Sequence, residues 1–132
     1  MFAVNSWRHD PIEIPHLYRR HRIWRDTPLA KLAENASRRE WTLVPGLLGH
    51  EWDEDVDNGF RPHGLQRLSE TTVDNVRILM DEGSLYDTGT VTHHLTLYKH
   101  QASGAIVFNS GKNLHSVSTF WQRHQRNSAI TN

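Results

Sequence analysis

The chain has 132 residues, no cysteine, a formal net charge of zero and 36% hydrophobic residues. Those values exclude a disulfide framework, a thiolate metal site and a cysteine nucleophile, and they argue against a general nucleic-acid or membrane binder. One domain is expected, able to bury roughly two-thirds of its unfolded surface, and without an apolar run near the ~20 residues of a membrane span or a secretory leader it reads as cytoplasmic.

The chain opens apolar and strand-like over Met1-Phe2-Ala3-Val4-Asn5-Ser6-Trp7, a beginning that reads as lying inside a longer frame. Arg8 to Pro15 reads as a loop, because Asp10-Pro11 and Ile14-Pro15 push the residue before each proline to extended geometry. His16 to Arg25 suits a short helix or an irregular basic arm. Asp26-Thr27-Pro28 is a helix start, with Leu29, Leu32, Ala33 and Ala36 on one face up to Ser37. Trp41 to Val44 is a short strand broken by Pro45-Gly46, and Leu47 to Asp53 is a second, ending in an acidic loop. Leu65 to Val73 is extended, with Leu65, Arg67, Ser69, Thr71 and Val73 sharing a face. Val76 to Met80 is another strand, and Asp81-Glu82-Gly83 a turn. Val91 to Lys99 alternates as a half-buried strand. Gln101 to Gly104 turns the chain so that Ala105 to Phe108 pairs back antiparallel. Leu114 to Gln122 is expected to be helical.

Charge is unevenly placed. Twelve of the fifteen cationic side chains are arginine, and Tyr18 to Arg25 interleaves arginines with aromatics. Glu51 to Asp57 holds five acids in seven positions. Arginine favours bidentate pairing at packed interfaces, so contact with another protein surface is the ordinary reading of the arm. Base stacking is the weaker alternative. Asp53 to Gly59 imitates the front of a calcium loop, but Asn58 and Gly64 stand where that loop needs glycine and glutamate. A solvated acidic turn is expected.

Glu51 follows Gly49 and His50 and precedes Trp52, in a strand lined by leucine. Burial against an indole would disfavour the carboxylate and raise its pKa, suiting a general acid or base. An inter-strand ion pair is the plainer alternative. His93 and His94 invite a metal reading, yet neighbours in a strand point to opposite faces, and no ligand spacing such as His-Glu-x-x-His occurs. His94 could join His50 or His100 if the strands are adjacent, but a hydrogen-bonded packing role is the default for a histidine on a half-buried face, and no complete metal site is expected.

The runs Phe2-Ala3-Val4-Asn5-Ser6-Trp7-Arg8-His9-Asp10-Pro11-Ile12 and Arg22-Ile23-Trp24-Arg25-Asp26-Thr27 carry a resemblance. Val44-Pro45-Gly46-Leu47-Leu48-Gly49-His50-Glu51-Trp52-Asp53, Thr92-His93-His94-Leu95-Thr96-Leu97-Tyr98 and Ser103 to Phe108 continue it. Together they resemble the C-terminal region of the large (beta) subunit of N,N-dimethylformamidase, over nearly the whole chain. The resemblance implies an amidohydrolase that splits the C–N bond of small N-substituted formamides with a mononuclear iron held by two tyrosines and a glutamate. It implies a glutamine-amidotransferase-like layer preceded by β-rich structure. Glu51 then corresponds to a catalytic carboxylate beside the iron, with His50 lining the same wall.

The family's iron-binding His-Asp-Glu-Tyr motif has no counterpart in this sequence, and Tyr18, Tyr86 and Tyr98 match neither tyrosine ligand. Gly111-Lys112-Asn113 and a single Trp121 stand where relatives carry Gly-Thr and a tryptophan pair. The expected fold class is therefore α/β or α+β, a strand-rich partial layer with an antiparallel hairpin. Residues 1–132 form a single domain or a fragment of the large subunit. The expected function is that of the C-terminal segment of the amidohydrolase, inactive alone, with iron outside this chain. Its partners are the remainder of the large subunit, a small subunit and a small amide substrate. The alternative is a non-catalytic docking module that binds a protein partner through the arginine arm and acidic loop.

Overall fold

The computed structural model describes residues 2–4, 10–31, 40–43, 45–49 and 51–112. Within them lie nine strands: β1 (Phe2–Val4), β2 (Glu13–Pro15), β3 (Glu40–Thr42), β4 (Glu51–Asp53), β5 (Gln66–Arg67), β6 (Thr71–Met80), β7 (Leu85–His93), β8 (Thr96–Lys99) and β9 (Ile106–Asn109). They form a four-stranded sheet in the order β4-β1-β6-β7, a two-stranded sheet β2-β3 and a three-stranded sheet β5-β8-β9. Every pairing between these strands is antiparallel. Glu54 bridges His93, so the chain leaving one edge of the large sheet meets the end of the strand at its other edge.

The strand-rich part of the expectation holds, including the β8–β9 hairpin with Lys99 opposite Ile106. The helical part differs. Among the described residues the helices are 3-10 turns: His16–Arg20, Arg22–Trp24, Pro28–Lys31 and Asp81–Gly83. In the arm the reason is local, because His21 is extended (φ −58°, ψ 138°) and cuts it into pieces too short for an α-helix. The helix expected to run on to Ser37 is seen only as its first turn, with Leu29 buried as its pattern required. Its remainder and the helix expected over 114–122 lie outside the described residues.

Two strands read separately, ending at Val73 and beginning at Val76, are one. β6 runs through Asp74-Asn75 by a bulge, with Asn75 in the left-handed region (φ 57°). Asparagine tolerates that conformation, which is why a turn-like dipeptide sits inside a strand. Conversely, the strand read over Val91 to Lys99 breaks at His94-Leu95. There Leu68 N–H donates to the Leu95 carbonyl (2.8 Å) and Leu95 N–H to the Ser69 hydroxyl (2.8 Å). β5–β6 and β7–β8 thus make one bent ribbon.

The core forms where this ribbon meets β4 and the segments around Ile12 and Leu48: Ile12, Leu48, Trp52, Leu68, Val76, Ile78 and Val91 are all buried. Trp24 packs on it from the arm. Gly89 lies opposite Val76 where a Cβ would come within 2.6 Å of Ile78 Cδ1, so glycine lets the isoleucine lie flat across the ribbon.

Candidate functional site

β4 holds the site residues in a strand only three residues long, with Glu51 opposite Val4 and Trp52 opposite Ala3 of β1. Successive side chains of a strand face opposite ways. Trp52 is 2% exposed, so Glu51 and Asp53 share the outer face. Glu51 is exposed there. This corrects the expected dry environment: the indole beside Glu51 in sequence lies on the other side of the strand. His50 lies outside the described residues.

Asp53 is the carboxylate of this strand with a perturbed pKa. It is half-buried, its backbone N–H donates to the Gly111 carbonyl (2.7 Å), and burial raises the carboxyl pKa, with the negative charge of Glu51 adding to the rise. β4 thus carries two carboxylates on one face, one of them biased toward holding its proton. Nothing in the spacing distinguishes the two. Gly111, from far along the chain, meets the strand at Asp53.

Behind this face lie the two histidines. His93 is fully buried, with its ring edge-on to Trp52 (centroids 5.8 Å, interplanar angle 83°). Its Nε2 lies 2.8 Å from the Ser110 carbonyl, which can only accept, so the proton sits on Nε2. Burial holds the pKa of His93 down at about 4. Gly111, at φ +59°, follows that carbonyl, and a Cβ there would stand 3.1 Å from His93 Nε2. Glycine is required on both counts. Lys112 closes the corner by donating from Nζ to the Leu47 carbonyl (3.0 Å), and its burial lowers its pKa. The packing role expected for His93 is what the structure shows.

His94 is buried as well, since the strand break turns it inward instead of to the opposite, outer face. Its Nε2 lies 3.6 Å from Glu70 Oε2, and Tyr18 donates its hydroxyl to that same carboxylate oxygen (3.2 Å). Burial, then the nearby Arg67 guanidinium, lowers its pKa. His100, by contrast, lies in the exposed turn before β9 and contacts the Ser103 hydroxyl through Nδ1 (2.9 Å). Among the described residues, His93, His94 and His100 do not converge.

The acidic loop is not wholly solvated. The Asp55 side chain is 11% exposed and accepts from Arg61 Nη2 and from Arg67 Nε (2.8 Å), tying the loop to β5. Asp55→Ala leaves two guanidiniums without their shared carboxylate. Because these arginine side chains are 26% and 35% exposed, the expected loss is about 2 kcal/mol, below the ~3–5 kcal/mol of a fully buried pair. Urea unfolding measures it, and Asp55→Asn should cost nearly as much if charge is what matters.

Among the described residues no three His, Asp or Glu side chains stand where they could hold one metal ion. Two open clefts occur, one of about 260 Å³ beside Asp10, Glu13, Thr71 and Asp74, the other of about 330 Å³ beside His63, Tyr98, Lys99 and His100. Neither is lined by Glu51. No helix of the described residues is long and apolar enough to cross a membrane.

No curated protein and no solved structure matches the chain. A family model described as N,N-dimethylformamidase beta subunit-like, C-terminal, matches residues 1–120. That match spans β1 to β9 and both faces of β4. The chain belongs to the N,N-dimethylformamidase beta subunit-like C-terminal family.

Proposed function

We propose that this chain is the C-terminal portion of a cytoplasmic, iron-dependent amidohydrolase of small N-substituted formamides, and that it is inactive by itself. The observation that carries this reading is the family match over residues 1–120. In it, β4 presents Glu51 as the catalytic carboxylate, with His50 on the same wall. The iron and its ligands belong to the remainder of the large subunit, with which this chain completes a glutamine-amidotransferase-like layer, and a small subunit is a further partner. What this chain contributes is proton handling: Glu51 supplies a carboxylate at the outer face of a sheet anchored by Trp52. Asp53, half-buried beside it, keeps its proton to higher pH. Exposure of Glu51 in this chain fits a face that other polypeptide covers.

Glu51→Gln in the longest native reading frame is the test. Hydrolysis of N,N-dimethylformamide should fall by about 100-fold or more with assembly unchanged, the range for loss of a general acid or base. Retained turnover per assembled complex would count against the catalytic role. Turnover by the purified 132-residue chain with ferrous iron would overturn the claim that it is inactive alone.

The second reading, a docking module, is favoured by the apolar side chains that the fold leaves outside, among them Leu17, Phe60, Leu85 and Ile106. Disturbed assembly in the same Glu51→Gln variant, with activity per complex retained, would support it.

A further inference from the structure

The ribbon of β6 and β7 outruns the core. Val76 and Ile78, buried at 1% and 6%, belong to a row that continues along the same face to Met80 and, across the turn, Leu85. Those two are 39% and 60% exposed. A core-facing row that carries on past the core with apolar side chains has the pattern of a surface meant to be covered. Around it, residues 80–88 contain Asp81, Glu82 and Asp87 and no lysine or arginine. The tip is also preformed. Asp81 accepts the Ser84 hydroxyl (2.7 Å), Asp87 accepts the Thr88 N–H (2.7 Å), and Arg77 stacks over the Tyr86 ring at 3.8 Å.

The arm has the converse make-up. Leu17 (79% exposed) and Ile23 (42% exposed) lie in the same arm as Arg22 and Arg25, which are exposed, and residues 16–25 contain no acid, though Arg25 also pairs with Asp26 (3.2 Å). Within the chain the arm is tied to the base of the ribbon: Tyr18 bonds Glu70, and Glu13 N–H bonds the Thr71 hydroxyl at the first residue of β6. The tip lies at the far end of that ten-residue strand, about 30 Å along at ~3.3 Å per residue. One chain thus carries an acid-ringed apolar knob and a base-ringed apolar seat, built at opposite ends of one element.

We propose that two copies of this chain associate head to tail, the Met80–Leu85 tip of one seated on Leu17, Ile23, Arg22 and Arg25 of the other. The contact is heterologous, using different patches on the two copies, so it propagates or closes into a ring instead of stopping at a two-fold dimer. It is independent of the amidohydrolase reading. Charged groups at its rim make it weaken as salt screens them.

The test uses the full chain in sedimentation velocity, across a range of concentrations at low and high salt. Self-association that grows with concentration and is weakened by salt is expected. A tip variant (Asp81→Lys, Glu82→Lys, Asp87→Lys) and an arm variant (Arg22→Glu, Arg25→Glu) should each remain monomeric where the parent associates. Mixed one to one, the two variants should associate again in alternation, because every tip then meets an arm of opposite charge on the other variant. That restoration also shows both variants are folded. A chain monomeric under all conditions overturns the proposal. So does association that neither variant weakens, or variants whose mixture stays monomeric.

Discussion

Replacing Trp52 by alanine should cost about 4 kcal/mol and move the urea midpoint far down. The indole is the largest fully buried side chain, packed in a core with Ile12, Leu48 and Leu68 and edge-on to His93. Truncation removes both its transfer free energy and its contacts, because neighbours fixed by three strands cannot collapse into the space. Total stabilities of small domains are typically ~5–15 kcal/mol, so a single loss of that size is a large fraction of the margin. Trp52→Phe should cost much less, about 1–2 kcal/mol. It keeps an aromatic ring and removes Nε1–H, a buried donor with no hydrogen-bond partner among the described residues. Urea midpoints followed by far-UV circular dichroism give both values, and equal losses for the two variants would show that ring packing is not the source.

The same residue shows what the sequence makes legible. Alternation placed Trp52 in a strand, and three residues of β4 obey it. Which face is inward depends on what lies on either side, namely β1 and residues 111–112, the latter about sixty positions later in the chain. The reading that put Glu51 in dry surroundings treated sequence adjacency to an indole as spatial adjacency, and in a strand these are opposites. Local patterns fared well where the partner was near: the Gln101–Gly104 turn with its hairpin, the Asp81–Gly83 turn, and the Ser69, Thr71 and Val73 part of the row read from Leu65, whose alternation slips where Leu68 is buried too. That last row is buried from Ser69 onward.

Patterns failed where a side chain settled the backbone. Ser69 takes the Leu95 N–H that a continuous β7–β8 strand would have given to a neighbour, and so breaks it. Asp55 was grouped with a solvated loop because its partners, Arg61 and Arg67, lie six and twelve residues on with a turn between. The candidate site suffers most from this. Its carboxylates are local, but their surroundings are built entirely by distant chain. By contrast, the family likeness rests on the order of short motifs and needs no knowledge of which faces meet, so it was readable before any coordinates were.

His93 should make stability fall on acidification, between about pH 6.5 and pH 4. Its folded-state pKa of about 4 lies below the ordinary 6.5. In that window the unfolded chain binds a proton that the folded chain refuses. Stability from this group is therefore complete above pH 6.5 and is lost at about 1.4 kcal/mol per pH unit as pH falls, levelling off below 4 after a loss of about 3 kcal/mol. The cause is burial first; the Ser110 carbonyl opposes it, and the charges of His94 and Lys112, each smaller in effect than that hydrogen bond, reinforce it. Asp53, whose raised pKa lets the folded state take a proton early, acts in the opposite sense at the acid end. A plain acid titration would blend the two. Comparing the parent with His93→Gln removes the blend, because both chains keep Asp53 and the variant can still donate to Ser110. The stability difference, parent minus variant, should be constant above pH 7 and shrink by about 3 kcal/mol by pH 4. Parallel profiles would mean that His93 is hydrated or protonated in the native state, and that the corner where Trp52, His93 and Gly111 meet is open to water.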